Sequence, residues 1–497
     1  MIKESTFRPA MLLMAGRGLA SAATLLIPIT LARVFDQADY GTYKQLFLIF
    51  TTLYSIALVG LSDSLYYFVP REPKKAGRYV ANAVAGLTLS GLVCVGALYT
   101  ARVAIANGMR NPGLAEHVGE IGVFLLFTLV ATVLEIALIA RKRYSTASTT
   151  YVASDLVRAI CFVAPALIRP DLGFLMEWAV AFSALRVVAA LVLLKREFGS
   201  DFRLDRSVVP SQLTYAAPFA LYVLVEILQA TYHQYAVSWT FDAATFAIYS
   251  VGCFQVPLVD FLATPASSVM MVRMSEELRE ERPREALAIW TDITRKLALV
   301  FFPLVAFLMI ASRDIITLLF TNAYAASAPI FAVWVFTIAL SVIQTDGVMR
   351  VYAAVPFLFK ANLVRLALVV AFVGPSMAAF GLYGPVLVTI FAMTVAKTLH
   401  LFRMKTLMGV SAAELLPWRS LAAAISVSAA SVVPALAVRA AITGPPLFAI
   451  VAEATAFGLT YLAFAVSFGL FDSNERASLV KAFRLSPSRS LAAGVAD

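Results

Sequence analysis

The sequence predicts an all-α integral membrane protein of about fourteen transmembrane helices, built as two parallel six-helix lobes plus a C-terminal helix pair. Three observations predict it. Apolar residues gather in runs of roughly twenty, the length that spans a bilayer, within a chain of 497 residues that is 61% hydrophobic and 14% charged, with mean hydropathy +0.83. Basic residues alternate between crowded and sparse connectors along those runs. A short connector motif occurs twice, about two hundred residues apart, as expected of a duplicated architecture.

The runs are 11–33, 46–69, 80–101, 121–140, 147–168, 174–194, 214–238, 246–271, 297–312, 328–349, 358–379, 382–402, 418–438 and 447–471. Their length and apolar character fit helices rather than barrel strands, which are about ten residues long and alternate in polarity. The first run lacks a small-residue cleavage site and many spans follow it, so it reads as a span and not as a signal peptide. Cys94, Cys161 and Cys253 all fall inside runs and read as small buried apolar residues, not a disulfide framework.

The net charge of +10 follows the membrane, which argues against nucleic acid as a partner. With the N-terminus inside, the inner connectors carry Arg71, Lys74, Lys75 and Arg78; Arg141, Lys142 and Arg143; Lys195, Arg196, Arg203 and Arg206; and the run from Arg273 to Lys296. Lys397, Arg403, Lys405, Arg419 and the tail with Arg476, Lys481, Arg484 and Arg489 continue the pattern. The outer connectors hold only Arg33, Lys44, Arg102, Arg110, Arg169, Arg313 and Arg439. That bias fits the positive-inside rule. It places both termini in the cytoplasm and requires an even number of spans.

The repeated connector reads Phe35-Asp36-Gln37-Ala38-Asp39-Tyr40-Gly41-Thr42-Tyr43, then Phe241-Asp242-Ala243-Ala244-Thr245-Phe246-Ala247-Ile248-Tyr249. Phe, Asp, Ala, an aromatic and Tyr keep their spacing. The copies follow spans one and seven, so both emerge on the same face and the repeats are parallel. Pro73-Lys74-Lys75-Ala76 after span two is echoed by Pro283-Arg284-Glu285-Ala286 after span eight. The expected domains are an N-lobe at 1–194, a polar, basic linker at 195–213, a C-lobe at 214–405, an additional helix pair at 406–471 and a cytoplasmic tail at 472–497. In the inner connector 272–296, Ala286, Ile289, Trp290, Ile293 and Leu297 recur at three- and four-residue spacing. That stripe fits either an amphipathic helix on the cytoplasmic interface or a solvated helix with salt pairs such as Glu280 to Arg284.

No phosphate-binding loop, HExxH or CxxC is present, and three scattered histidines make no obvious metal site. No cofactor is expected, and no stretch looks able to fold as a soluble catalytic domain, so the chain is not expected to be an enzyme. The chemistry left is charge inside the membrane, where one ionised side chain at a helix centre costs roughly 2.5–3.5 kcal/mol and needs a cavity or a partner. The candidates are Arg17, Asp63, Glu135, Asp155, Arg158, Arg186, Glu226, His233, Asp260, Asp346 and Arg365. Arg17 stands between Gly16 and Gly18, which leave its guanidinium accessible; it either lines a cavity, where guanidinium suits phosphate through planar, bidentate hydrogen bonds, or snorkels to the inner interface. Asp155 and Arg158 share a helix face and either neutralise each other or line a cavity. Glu226 and Asp260 are either cation or proton sites or structural bonds to a neighbouring helix. His233 reads as a packing residue, and Asp63, Asp346 and Arg365 as interfacial contacts. Asp36 and Asp242 precede helices and are expected to be N-caps.

Several of these segments resemble a known family in their order. Ala32-Arg33-Val34-Phe35, Asp39-Tyr40-Gly41-Thr42-Tyr43 and Val59-Gly60-Leu61 are similar to the opening of the polysaccharide transporter (oligosaccharide flippase) branch of the multidrug/oligosaccharidyl-lipid/polysaccharide (MOP) exporter superfamily. Tyr215-Ala216-Ala217-Pro218, the Phe246 to Gly252 stretch, and Ile315-Ile316-Thr317-Leu318-Leu319-Phe320 followed by Tyr324 continue the resemblance through the second half. It implies two six-helix lobes around a central cavity in a bacterial inner membrane. It also implies flipping of undecaprenyl-pyrophosphate-linked oligosaccharide repeat units by alternating access, for lipopolysaccharide O-antigen, capsule or exopolysaccharide. Membrane lipid and a polysaccharide polymerase with chain-length machinery would be the partners. A cationic cavity for the pyrophosphate is part of the resemblance. Arg17 fits it, and Arg158 and Arg186 are further candidates; lobe two carries Glu226 and His233 where a matching arginine would stand. The rival readings are a cation-coupled multidrug exporter of the same superfamily, with Glu226 or Asp260 carrying the ion, and, further off, a membrane glycan polymerase or ligase, or a scaffold for glycan assembly.

Overall fold

The computed structural model describes residues 23–442, 444–472 and 475. Among them the chain is built from helices. Twelve are long and apolar enough to cross a membrane, and a thirteenth span is a pair bent by 49°. Spans two to fourteen follow the expected order; of the first expected span, α1 (Ala23–Val34) is described and residues 11–22 lie outside the described residues.

The chain divides into two units. The first comprises Met1–Phe261, Ile316–Trp334 and Ala354–Leu399. It holds α1, α2 (Gln37–Ala57), α3 (Leu61–Arg71), α4 (Ala76–Gly108), α5 (Leu114–Ala140), α6 (Tyr144–Ile168), α7 (Leu172–Phe198), α8 (Val209–Thr240) and α9 (Ala243–Gly252). Its centre is α5, packed on α4, α7, α2 and α3, with Leu65, Val80, Leu87, Leu125, Leu129 and Val133 fully buried. The aromatic rings of Phe47, Phe50, Phe124 and Phe162 join α2, α5 and α6 at centroid distances of 5.0 to 6.1 Å.

The repeated connectors meet inside this unit. Asp36 Oδ1 accepts from the Asp39 amide at 2.8 Å and Asp242 Oδ1 from the Thr245 amide at 2.8 Å, so each aspartate caps the helix it precedes, as its position predicts. The helices they start, α2 and α9, pack side by side. Gly41 allows it: a Cβ there would lie 1.9 Å from the carbonyl oxygen of Ala243. The segment 318–324 closes over the contact. Arg33 Nε donates to Leu319 O at 3.0 Å, Gln37 Nε2 to Ala323 O at 2.6 Å, and Tyr40 meets Tyr324 edge-on at 5.7 Å. A buried polar bridge lies just inside, where Gln45 Nε2 donates to Ser238 Oγ at 2.8 Å and Asn111 Nδ2 to Gln45 Oε1 at 2.7 Å.

Both spans that follow the connectors are broken. Between α2 and α3 the chain takes left-handed φ at Val59 (48°) and Gly60 (68°). Gly60 adopts this freely, whereas a β-branched valine is strained there. In the second copy the break falls at residues 253–256, between α9 and α10 (Pro257–Arg279); Pro257 opens α10, where its missing N–H costs no helical bond. The expected linker 195–213 folds onto α4. Arg78 pairs with Asp201 at 3.2 Å and with Asp205 at 2.9 Å, the Gly77 amide donates to Asp201 Oδ2 at 2.7 Å, and Gln212 Nε2 donates to Tyr79 O at 3.1 Å.

The second unit comprises Leu262–Ile315, Val335–Ala353 and His400–Asp497. It contains α11 (Pro283–Ile310), α14 (Phe336–Leu340), α15 (Thr345–Val351), α18 (Ala412–Leu415), α19 (Trp418–Ala441) and α20 (Pro446–Ser467). Here the helix read at 272–296 as a separate amphipathic or solvated element is corrected. Residues 283–310 are one helix, the first turns of the ninth span, and Ala286 and Trp290 are fully buried. Trp290 Nε1 donates to Leu415 O at 2.8 Å. The apolar stripe therefore faces protein, which periodicity alone does not distinguish from a lipid interface. The span expected at 328–349 is also divided, into α13 (Ala328–Trp334), α14 and α15. The helices α12 (Ser312–Phe320), α16 (Val355–Phe380) and α17 (Tyr383–Met408) complete the described chain.

Candidate functional site

Two ion pairs lie within the first six spans. Arg158, on α6, lies 3.0 Å from Asp155 Oδ1 one turn earlier, and its Nη2 donates to Thr24 Oγ1 on α1 at 2.8 Å. The shared helix face predicted for Asp155 and Arg158 thus becomes an ion pair, and the same Nη2 also reaches the neighbouring helix. Arg186 on α7 lies 3.2 Å from Glu135 Oε1 on α5. The Glu135 side chain is only 3% exposed and that of Arg186 17%. In low dielectric such a pair roughly balances its desolvation, but removing one member strands the other at a cost of about 3–5 kcal/mol.

A cavity of about 260 Å³ lies beside the second pair, walled by Leu134, Val157, Phe182 and Leu185. Glu135, Arg186 and Ser154 line it as well. Glu135 Oε2, Arg186 Nε and Ser154 Oγ are buried with no hydrogen-bond partner among the described residues. Apolar walls with unused donors and an acceptor suit an amphiphile or ordered water.

The charges of the later spans are arranged differently. Glu226 on α8 and Asp260 in the first turn of α10 are exposed, Asp260 directly after the break in its span. His233 is fully buried, its Nδ1 2.7 Å from Tyr249 Oη and its ring 5.4 Å from that of Trp334, so it packs as the sequence predicts. Arg365, on α16, is within Coulombic reach of it. Asp63 is exposed in the first turn of α3. In the second unit Asp346 lies 3.5 Å from His400 Nδ1, which is 3.0 Å from Thr345 Oγ1. Arg17 lies outside the described residues. No group of three or more His, Cys, Asp or Glu able to hold a metal occurs among the described residues.

Two features were missed in the sequence. Thr24 and Ser154 carry no signal there, because a hydroxyl in a span ordinarily satisfies itself on the preceding turn. Glu453 did carry one, as the sole acidic residue of the last apolar run, and the structure buries it to 1% exposure.

The family model described as polysaccharide biosynthesis protein matches residues 30–329. No curated protein matches the chain. Among solved structures, the lipid II flippase MurJ in an inward closed conformation is similar with TM-score 0.70 at 15% identity, covering 90% of this chain and 98% of that one. A multidrug resistance MATE family transporter of the MOP superfamily, in an inward-facing conformation, gives 0.59 at 16% identity, covering 80% and 96%. A MOP superfamily transporter from Pyrococcus furiosus gives 0.57 at 14% identity, covering 81% and 95%. At these identities the likeness is one of fold.

Proposed function

The chain belongs to the polysaccharide biosynthesis protein family, and from that premise we propose that it flips undecaprenyl-pyrophosphate-linked oligosaccharide repeat units across the bacterial inner membrane by alternating access. The observation that carries the reading is the family match over residues 30–329 on a transporter fold matched over 90% of the chain. Packing of the two connectors supports it. In this reading the basic connectors are cytoplasmic, so the packing of α2 on α9 around Gly41 falls at the periplasmic end. Net movement requires that substrate bind the two states unequally.

In this reading Arg17 and Arg158 contact the diphosphate. Arg158 already donates to a hydroxyl, which a phosphate oxygen could replace at similar distance. Arg186 is held by Glu135 and serves the substrate only if that pair opens. The test uses purified protein in liposomes with a short-chain polyprenyl-pyrophosphate disaccharide and a membrane-impermeant enzyme that modifies only exposed sugar. Protein-dependent exposure, lowered at least tenfold in Arg158→Ala and partly kept in Arg158→Lys, is the expected result. No exposure, with ion-driven efflux of cationic dyes instead, would replace the flippase by the exporter.

A further inference from the structure

We propose that Glu453 is a proton-binding site, and that its proton decides whether Arg439 is held by Asp314 alone or shared between α12 and α20. This goes beyond the transport reading and does not depend on it. Glu453 and Arg439 lie in the second unit, in the helix pair beyond the residues that the family model matches, while Asp314 lies within them.

Glu453 sits two turns into α20, 1% exposed, and neither carboxyl oxygen has a hydrogen-bond partner among the described residues. One turn further along, Phe457 packs on Phe307 of α11 at 5.8 Å, within an apolar cluster that includes Ala435 and Tyr461. An ionised carboxylate without donors in such surroundings is strongly disfavoured, and a proton neutralises it.

What lies nearby makes the proton consequential. Arg439 of α19 grips Asp314 through two hydrogen bonds, Nε to Oδ2 at 2.6 Å and Nη2 to Oδ1 at 3.1 Å. Both residues are within Coulombic reach of Glu453. Among the other charged residues of the elements packed here, those of α11 stop at Lys296, Arg419 is at the far end of α19, and Arg313 beside Asp314 is exposed; the Tyr461 hydroxyl donates to Leu299 O at 2.8 Å. With Glu453 protonated, the Arg439–Asp314 pair is neutral and complete. Once the proton leaves to water, for which the 39% exposed Arg439 side chain marks a surface route, two carboxylates compete for one guanidinium. The grip on Asp314 then loosens. Asp314 stands in α12, the helix along which the chain passes from the second unit back into the first.

The test is infrared difference spectroscopy of the purified protein as a function of pH, read at the carbonyl stretch of protonated carboxyl groups. A band present at pH 7 in the wild type and missing in Glu453→Gln is expected. Its absence from the wild type would overturn the proposal, because the carboxylate would then be ionised. Asp314→Asn frees Arg439 for Glu453, and should make the band fade about one pH unit or more below its wild-type midpoint; an unchanged midpoint would show that the two carboxylates do not share the arginine. This variant stands on its own should Glu453→Gln fail to fold. Amide exchange in 312–320, corrected for its intrinsic rate, should rise as the band fades in the wild type and stay flat in Glu453→Gln. A chain that flips no glycan but shows these changes leaves the proton site intact and removes only the transport reading.

Discussion

The two copies of the connector do the same work with the same atoms, and the spans that follow them do not. Asp36 and Asp242 cap at the same 2.8 Å, and the two helices they start pack on each other. Beyond the caps the copies diverge. The first runs for 21 residues before its break at Val59 and Gly60; the second runs for 10 and bends at Pro257. Charge diverges as well. In the first six spans Glu135 and Arg186 form a buried pair, whereas Asp260 in the later ones is exposed. The likeness of the two copies holds where they touch and ends beyond it.

This comparison can be broken most forcefully at the charges. Arg186→Met strands Glu135 in an apolar wall and should destabilise the protein by about 3–5 kcal/mol, measured as a fall in thermal stability in detergent. The double variant with Glu135→Leu should recover most of it. Asp260→Asn, on an exposed carboxylate, should change stability by less than about 0.5 kcal/mol. Equal losses from Arg186→Met and Asp260→Asn would erase the difference between the halves.

Next comes the contact itself. Gly41→Val drives a side chain into the backbone of Ala243, which cannot yield as a side-chain tip would. A loss of about 3 kcal/mol is expected. At the corresponding place in the second copy, Ala247→Gly removes only a methyl group and should cost about 1 kcal/mol. The caps sharpen the comparison from the other side. Asp36→Ala and Asp242→Ala should each cost about 1 kcal/mol and match within a few tenths; a large inequality would mean that the copies are not equivalent even where their atoms coincide.

The smallest effect lies in the linker. Hydrogen bonds from Ser207 and from Arg78 pull the Asp205 carboxyl down to about 2. A depressed value contributes stability above the unfolded carboxylate's roughly 3.9 and loses it as the pH falls through the folded value. Residues 201–208 should therefore stay protected from proteolysis down to about pH 4 and become accessible toward pH 2, and in Asp205→Asn be more accessible already at neutral pH.

Much of this was legible beforehand because hydropathy and capping are local. The spans, the caps at Asp36 and Asp242, the Asp155–Arg158 pair and the packed His233 each follow from a residue and its near neighbours. What was not legible depends on distant partners. Trp290 shows the same periodicity whether it faces lipid or Leu415, and nothing in 328–349 signals three short helices instead of one. Helices also outrun their apolar cores: α4 extends from Ala76 to Gly108, where hydropathy marks 80–101, because a helix ends where its backbone caps and not where it leaves hydrocarbon. The pairing of Glu135 with Arg186, 51 residues apart, needed the fold.

The most direct test of the proposed transport is deletion in the native host with analysis of surface glycan and lipid-linked intermediates. The account predicts loss of one surface polysaccharide, with complete repeat units accumulating on undecaprenyl pyrophosphate and staying unexposed to the periplasm. A normal surface glycan with raised sensitivity to cationic drugs would contradict it.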